Sequence, residues 1–104
     1  MMETQATPDI ETTEDQQQET AYEPIYRVII HNDDVTPMDF VVHVLRTIFM
    51  LLIPDAVKVM YIAHIHGEAV VQFLPKSEAE KRINKAHFAA GLEGYPLHFS
   101  MEPE

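Results

Sequence analysis

The sequence predicts an α+β fold: a small three-stranded antiparallel sheet packed with three helices, in the order β-α-α-β-α-β, behind a disordered N-terminal tail. Three observations predict it. Apolar residues alternate between strand-like and helix-like spacing from Ile25 onward. Pro37, Pro54, Gly67, Pro75 and Gly94 fall where the spacing changes. The chain has 104 residues, room for one domain of short elements. Three strands with three helices fit a layered α+β architecture.

The first strand is Ile25 to His31, an apolar run that leads into Asn32-Asp33-Asp34. The first helix spans Pro37 to about Met50, with Phe40, Val41, Val44, Leu45, Ile48 and Phe49 at helical spacing. Thr36 is placed to cap it, Pro37 suits the first helical position, and Asp39 is the acid of a capping box. The second helix runs from Pro54 to about His64, with Val57, Met60 and Tyr61 on one side. Gly67 breaks it, and Ala69 to Leu74 is the second strand. Pro75 and Ser77 open the third helix, whose stripe is Ala79, Ile83, Ala86 and Ala90, and Gly91 and Gly94 stop it. Tyr95 to Met101 is the last strand, with Leu97 and Phe99 on one face. The connection Met50-Leu51-Leu52-Ile53 is apolar where polar turn residues are expected, so it is expected to fold back on the core, the alternative being an exposed patch for a partner.

Composition narrows the function classes. The 46% apolar content supports a real core. The longest apolar run, Ile48 to Ile53, has six residues and ends at Pro54, too short to span a membrane. There is no cysteine, so disulfides and thiolate metal sites are excluded. The net charge is −10: residues 1–24 hold seven of the seventeen acids and none of the seven Lys and Arg, leaving −3 for residues 25–104. No basic face favours nucleic acid. Residues 1–24, rich in Glu, Gln and Thr, bury too little to offset ordering and are expected to be a disordered acidic extension. The N-terminus has no signal-peptide pattern and is acid-rich, unlike a transit peptide, so a cytoplasmic location is expected.

The residues that carry chemistry are His31, Asn32, Asp33, Asp34, Asp39, His43, His64 and His66. Asn-Asp-Asp alone is more often a turn than a site, because these side chains bond their own backbone. His64 and His66 lie at a helix end and need not converge, and no further His or acid stands at ligand spacing to them. No metal or cofactor is expected. Ser77 and Ser100 stand in no nucleophile motif, and no phosphate loop exists. By typical burial, Met38, Val41, Met60 and Leu97 read as core.

Taken together, the residues resemble the ClpS family, adaptors that deliver N-degron substrates to the Clp protease. The resemblance rests on Tyr26-Arg27-Val28-Ile29, then Asn32-Asp33-Asp34 followed by Thr36-Pro37-Met38 and Phe40-Val41, then Met60, then His64, Gly67 and Ala69, and finally Tyr95-Pro96-Leu97. It spans residues 25–101 in order. It implies a non-enzymatic, monomeric adaptor domain over residues 25–104, with three strands and three helices. It implies that Asn32, Asp33 and His64 hold a substrate's free α-amino group. It further implies that Ile30, Thr36, Met38, Val41, Met60, Ala63 and Leu97 form a pocket for a large first residue such as Leu, Phe, Tyr or Trp, with Met38 as a gate against β-branched residues. The implied partners are N-degron proteins and the N-terminal domain of a Clp AAA+ chaperone, which docks near Glu80 and Arg82. An acceptor histidine must be neutral, so affinity is expected to fall with pH through the ordinary imidazole range, ~6.5.

The chain also departs from the family pattern. Ala63 is smaller than the usual branched aliphatic residue, so the pocket is expected to favour aromatic first residues over Leu. At the opening of the third helix Ala79 and Glu80 match, Glu78 does not, and Arg82 stands for the usual Lys, which points to altered chaperone docking. Leu52 replaces a polar residue. In the family the tail helps hand substrate to the chaperone pore, so removing residues 1–20 is expected to spare peptide binding and abolish delivery. Two other readings are a modulator of the same fold that binds a Clp chaperone without recognising N-degrons, and a metal-dependent hydrolase built on Asp33, Asp34 and His64.

Overall fold

A computed structural model describes residues 23–104. The elements are β1 (Ile25–His31), α1 (Met38–Thr47), α2 (Ile53–His66), β2 (Glu68–Pro75), α3 (Lys76–Glu93) and β3 (His98–Pro103). Their order and types are those the sequence predicts. β1 is the central strand, paired antiparallel with β2 on one side and β3 on the other.

Strand alternation divides the sheet into two faces. Val28 and Ile30 of β1 enter the core under the helices. Arg27 faces the other way, opposite Glu102, and the two side chains pair at 3.3 Å. The same guanidinium lies 6.0 Å from the centre of the Phe73 ring. The register shifts between Val28 and Ile29, and Val71 is the extra residue on β2. This bulge sets Gln72 opposite Val28, where its amide donates to the Phe49 carbonyl at 3.2 Å.

The helices close over one face. Val41, Val44 and Leu45 of α1 are buried, and Phe49 just beyond it stacks on Phe99 with ring centres 4.9 Å apart. On α3 the buried stripe is Ala79, Ile83, Ala86 and Ala90, as the spacing predicts. Its small residues let the helix lie close to the sheet. The inward face of α2 differs from the expected one. Ala56, Val59, Met60 and Ala63 are buried, whereas Val57 is half-buried and Tyr61 exposed. The two alanines allow the close approach that larger side chains would block.

Several ends also differ. α1 stops at Thr47, and Ile48 and Phe49 belong to the exit from the helix. Met50 takes a left-handed backbone, φ 59°, and the Leu51 N–H reaches back to the Leu45 carbonyl at 3.0 Å. This reversal corrects the expectation for residues 50–53: only Leu51 packs on the core, and Met50, Leu52 and Ile53 are exposed. α3 passes through Gly91 and ends at Gly94, whose φ of 76° is the left-handed conformation that closes a helix. β3 starts at His98 rather than Tyr95, because the Tyr95 N–H is still bonded to the Ala90 carbonyl of α3, at 2.9 Å.

The start of α3 is capped from a distance in sequence. The Lys76 N–H donates to the Pro24 carbonyl at 3.0 Å. The Ser77 N–H and hydroxyl donate to the two Glu23 carboxylate oxygens at 2.8 and 2.9 Å. Glu23 and Pro24, which composition assigns to the tail, thus dock on α3. The rest of the expected disordered extension lies outside the described residues. No helix among the described residues is long and apolar enough to cross a membrane.

Candidate functional site

The site forms where β1 ends. The Asn32 N–H donates to the carbonyl of Gly67 at 2.9 Å, and the Gly67 N–H in turn donates to the Ala63 carbonyl at 2.8 Å. These two bonds tie the exit of β1 to the last turn of α2, which carries His64. Gly67 is needed here, since its φ of 93° is the left-handed backbone that closes α2.

Asp33 builds the turn that follows. Its Oδ1 accepts the Val35 N–H at 2.8 Å and the Thr36 N–H at 2.7 Å, and its Oδ2 accepts the Thr36 hydroxyl at 2.9 Å. Thr36 was expected to cap α1, and the structure corrects this. Its hydroxyl turns back to Asp33, and the residue before α1 is Pro37, which has an extended backbone and no side-chain cap. With Pro37 extended, the helix starts one residue later than expected, and the Thr36 hydroxyl is already engaged by Asp33. The Asp39 carboxylate accepts its neighbour's N–H, Phe40, at 2.9 Å, so no capping box forms.

Behind this turn lies a cavity of about 180 Å³. Its walls are Ile30 from β1, Met38 and Val41 from α1, Met60 and Ala63 from α2, and Leu97 just before β3. All are buried except Met38, which is 43% exposed at the first position of α1. Asn32, Asp33, Thr36 and His64 form the polar remainder of the lining, so all ten residues expected for the pocket meet in one cavity. His31 and Asp34 also line it and were not expected to. Asp34 was available from its place in the Asn-Asp-Asp run. His31 was hidden by its place on the outer face of β1, where its ring bonds Ser100 at 2.6 Å.

Burial pushes the Asp33 carboxyl up, but the three hydrogen bonds from Thr36 and Val35 together outweigh it and hold the group below the ordinary aspartate range. Asp33 is therefore an anion at neutral pH. A carboxylate offers about four lone-pair sites, so three internal donors leave room for one more. No Lys or Arg lines the cavity. The rim is thus rich in acceptors and anionic, and the interior is apolar. That arrangement suits a guest with a cationic donor group attached to an apolar body the size of one side chain.

It does not suit a metal. No group of three His, Cys, Asp or Glu converges in ligating geometry among the described residues, which corrects the hydrolase reading of Asp33, Asp34 and His64. Of the two α3 residues expected at a docking surface, Glu80 is exposed and Arg82 half-buried. Arg82 is engaged within the molecule. It donates to Glu78 at 2.8 Å, to Gln72 at 3.2 Å and to the Phe49 carbonyl at 3.5 Å. The hydrogen bond from Arg82 lowers the Glu78 pKa against a smaller effect of burial.

Residues 21–100 match the family model described as ATP-dependent Clp protease adaptor protein ClpS. The ClpS adapter protein of Desulfatibacillum aliphaticivorans is 39% identical over 87 residues, which cover 84% of each chain. ClpS 2 of Mesorhizobium japonicum is 44% identical over 80 residues, covering 77% of this chain and 79% of its own. Among solved structures, Agrobacterium tumefaciens ClpS2 bound to L-phenylalaninamide superposes with a TM-score of 0.76 at 36% identity, covering 79% of this chain and 99% of its own.

Proposed function

Because the chain belongs to the ClpS family, adaptor proteins of the ATP-dependent Clp protease and not enzymes, we propose that its cavity receives the first residue of an N-degron protein, which it then delivers to a Clp chaperone. The observation that carries this reading is the pairing of an apolar cavity with an anionic, acceptor-rich rim. An α-ammonium has three N–H donors and no acceptor, and buried without partners it costs several kcal/mol. The Asn32 amide oxygen, the Asp33 carboxylate and a neutral His64 nitrogen supply three acceptors. L-phenylalaninamide, the molecule bound to the Agrobacterium relative, is a free amine on an aromatic residue with its carboxyl amidated. It has the chemistry of a protein's first residue.

Magnitudes agree with such a role. Burying a Leu or Phe side chain contributes ~1.5–3 kcal/mol, and hydrogen bonds to a charged group net about 1.5–3 kcal/mol each. After the cost of association, a Kd on the order of micromolar follows. Ala63 leaves space where a branched side chain would intrude, so Phe and Trp fill the cavity better than Leu. An N-terminal Lys or Arg would bring a second charge into an apolar interior. Glu80 and its neighbours on α3 are the proposed contact for the N-terminal domain of the chaperone.

Fluorescence titration with Phe-, Leu-, Arg- and acetyl-Phe-initiated peptides tests this reading. Phe is expected to bind most tightly, with Leu weaker. The acetylated peptide is expected to be weaker by at least tenfold, about 1.4 kcal/mol, because it lacks the charge and two of the three N–H donors of the free amine. Equal binding of acetylated and free peptides would refute it. Binding of no peptide, with chaperone binding intact, would support the modulator reading instead.

A further inference from the structure

β3 is an edge strand, and the N–H groups on its outer side have no strand to pair with. One of them is satisfied in an unusual way. The Phe99 N–H donates to Nε2 of His87, on α3, at 2.9 Å. A neutral imidazole has one acceptor nitrogen, so this bond fixes the tautomer with the proton on Nδ1. An imidazolium has donors at both nitrogens and cannot accept the bond at all.

The bond lies next to the cavity. Phe99 is buried and stacks on Phe49 in the core, and Leu97, two residues earlier on the same face, is a cavity wall. Phe99 also pairs with Ile30, another wall. We propose that His87 is a positioning residue for the cavity: its unprotonated Nε2 holds the start of β3 and hence Leu97, and protonating it loosens that wall and weakens the hold on the guest. The part of this proposal that concerns the guest rests on the function proposed above. The part that concerns Leu97 does not.

His87 packs against groups that resist its protonation. From β3, His98 stacks on it, with ring centres 5.4 Å apart and planes 9° from parallel. From β1, His31 lies next in the row, 5.2 Å from the His98 ring. From β2, Glu68 stands 3.6 Å from His31 Nδ1, at the far end of the row from His87. Thus the charge nearest His87 is a second histidine, and the one acid in the row is two rings away. Burial first, and the charge of His98 second, push His87 below the ordinary imidazole range. A depressed histidine binds fewer protons folded than unfolded. The stability it contributes is present above pH ~6.5 and is lost as pH falls through its lowered value.

The test uses the full chain. In the free protein, the Phe99 amide and the Leu97 methyl signals are followed by NMR from about pH 8 to about pH 5.5 with the ring signals of all six histidines. Both reporters are expected to move with the His87 ring. His87→Gln keeps an acceptor near the same place and cannot titrate, so its Leu97 signal is expected to stay flat. Over the same range the affinity of the wild type for a Phe-initiated peptide is expected to fall by up to about fivefold more than that of His87→Gln, the worth of one hydrogen bond. Any loss due to groups other than His87 is common to both proteins and cancels. Reporters that follow another histidine, or a Leu97 profile in His87→Gln as steep as in the wild type, would overturn the proposal. If no peptide binds, the proposed function fails, and the Leu97 measurement still decides the role of His87.

Discussion

Asp33 spends one carboxylate on two tasks. Three internal hydrogen bonds shape the turn, and the remaining acceptor capacity faces the cavity. Replacing it is therefore expected to harm the turn as well as the proposed hold on a guest's amine. Asp33→Ala is expected to lower stability by ~1–2 kcal/mol through the lost turn bonds and to weaken a Phe-initiated peptide by more than tenfold. Thr36→Val, which removes only the hydroxyl bond, is expected to cost about 1 kcal/mol or less and to weaken the peptide mildly. Denaturation and peptide titration of both variants separate the two tasks. Since the Asp33 carboxyl lies below its ordinary range, the unfolded chain binds its proton more readily. The stability it contributes is present above pH ~4 and is lost as acid takes the pH through the lowered value. In the proposed function Ala63 sets the other limit. Ala63→Val is expected to narrow the cavity and move preference from Trp and Phe toward Leu, as paired titrations would show. The polar half of this site was legible only in part: Asn32, Asp33 and Asp34 stand out as consecutive acceptors, but alone they read as a turn, and His64 joins them only through the pattern shared with a family. The apolar half was not legible from periodicity. Val41, Met60 and Leu97 are buried as core residues are, and spacing cannot say whether a buried side chain meets another side chain or an empty space. Their grouping came from the pattern shared with a family.

At the scale of elements, the strands and helices followed from spacing, and the misreadings lie at their ends and in the α2 stripe. α1 was read through Met50 because Ile48 and Phe49 continue its apolar period. Phe49 keeps its place in the core after the helix has ended, so burial outlasts the hydrogen-bond pattern. The bulge at Val71 depends on how β2 pairs with β1 and leaves no mark in β2 alone. The cap on α3 was invisible for the same reason, since its carboxylate comes from Glu23, far off in sequence. Glu23→Ala is expected to destabilise the protein by about 1 kcal/mol, the usual worth of a helix cap, and to speed amide exchange at Ser77. Unchanged exchange at Ser77 would show that the clasp does not hold in solution. In the core, Phe49→Ala removes a ring that is 1% exposed and stacked on Phe99, so a loss of ~3–5 kcal/mol is expected in a denaturant titration.

For the whole molecule, the proposed delivery role needs two handles: a cavity for the guest and a surface or segment for the chaperone. Residues 1–20 include neither Glu23 nor any residue that lines the cavity. The shortened protein is expected to bind a Phe-initiated peptide as well as the full chain and to fail in degrading an N-degron reporter with its Clp partner. Undiminished degradation would show that those residues play no part in transfer. The placement of Glu23 bears on how such a transfer would work. The chain enters at one end of β1, beside α3, and the cavity rim begins at the other, after seven residues of central strand. Tension applied at the N-terminus would first break the Glu23–Ser77 clasp and then run along β1. The ladders on both sides of β1 would meet it in shear, sharing the strain across many bonds, so the rim at Asn32 is mechanically the last part of the strand to give.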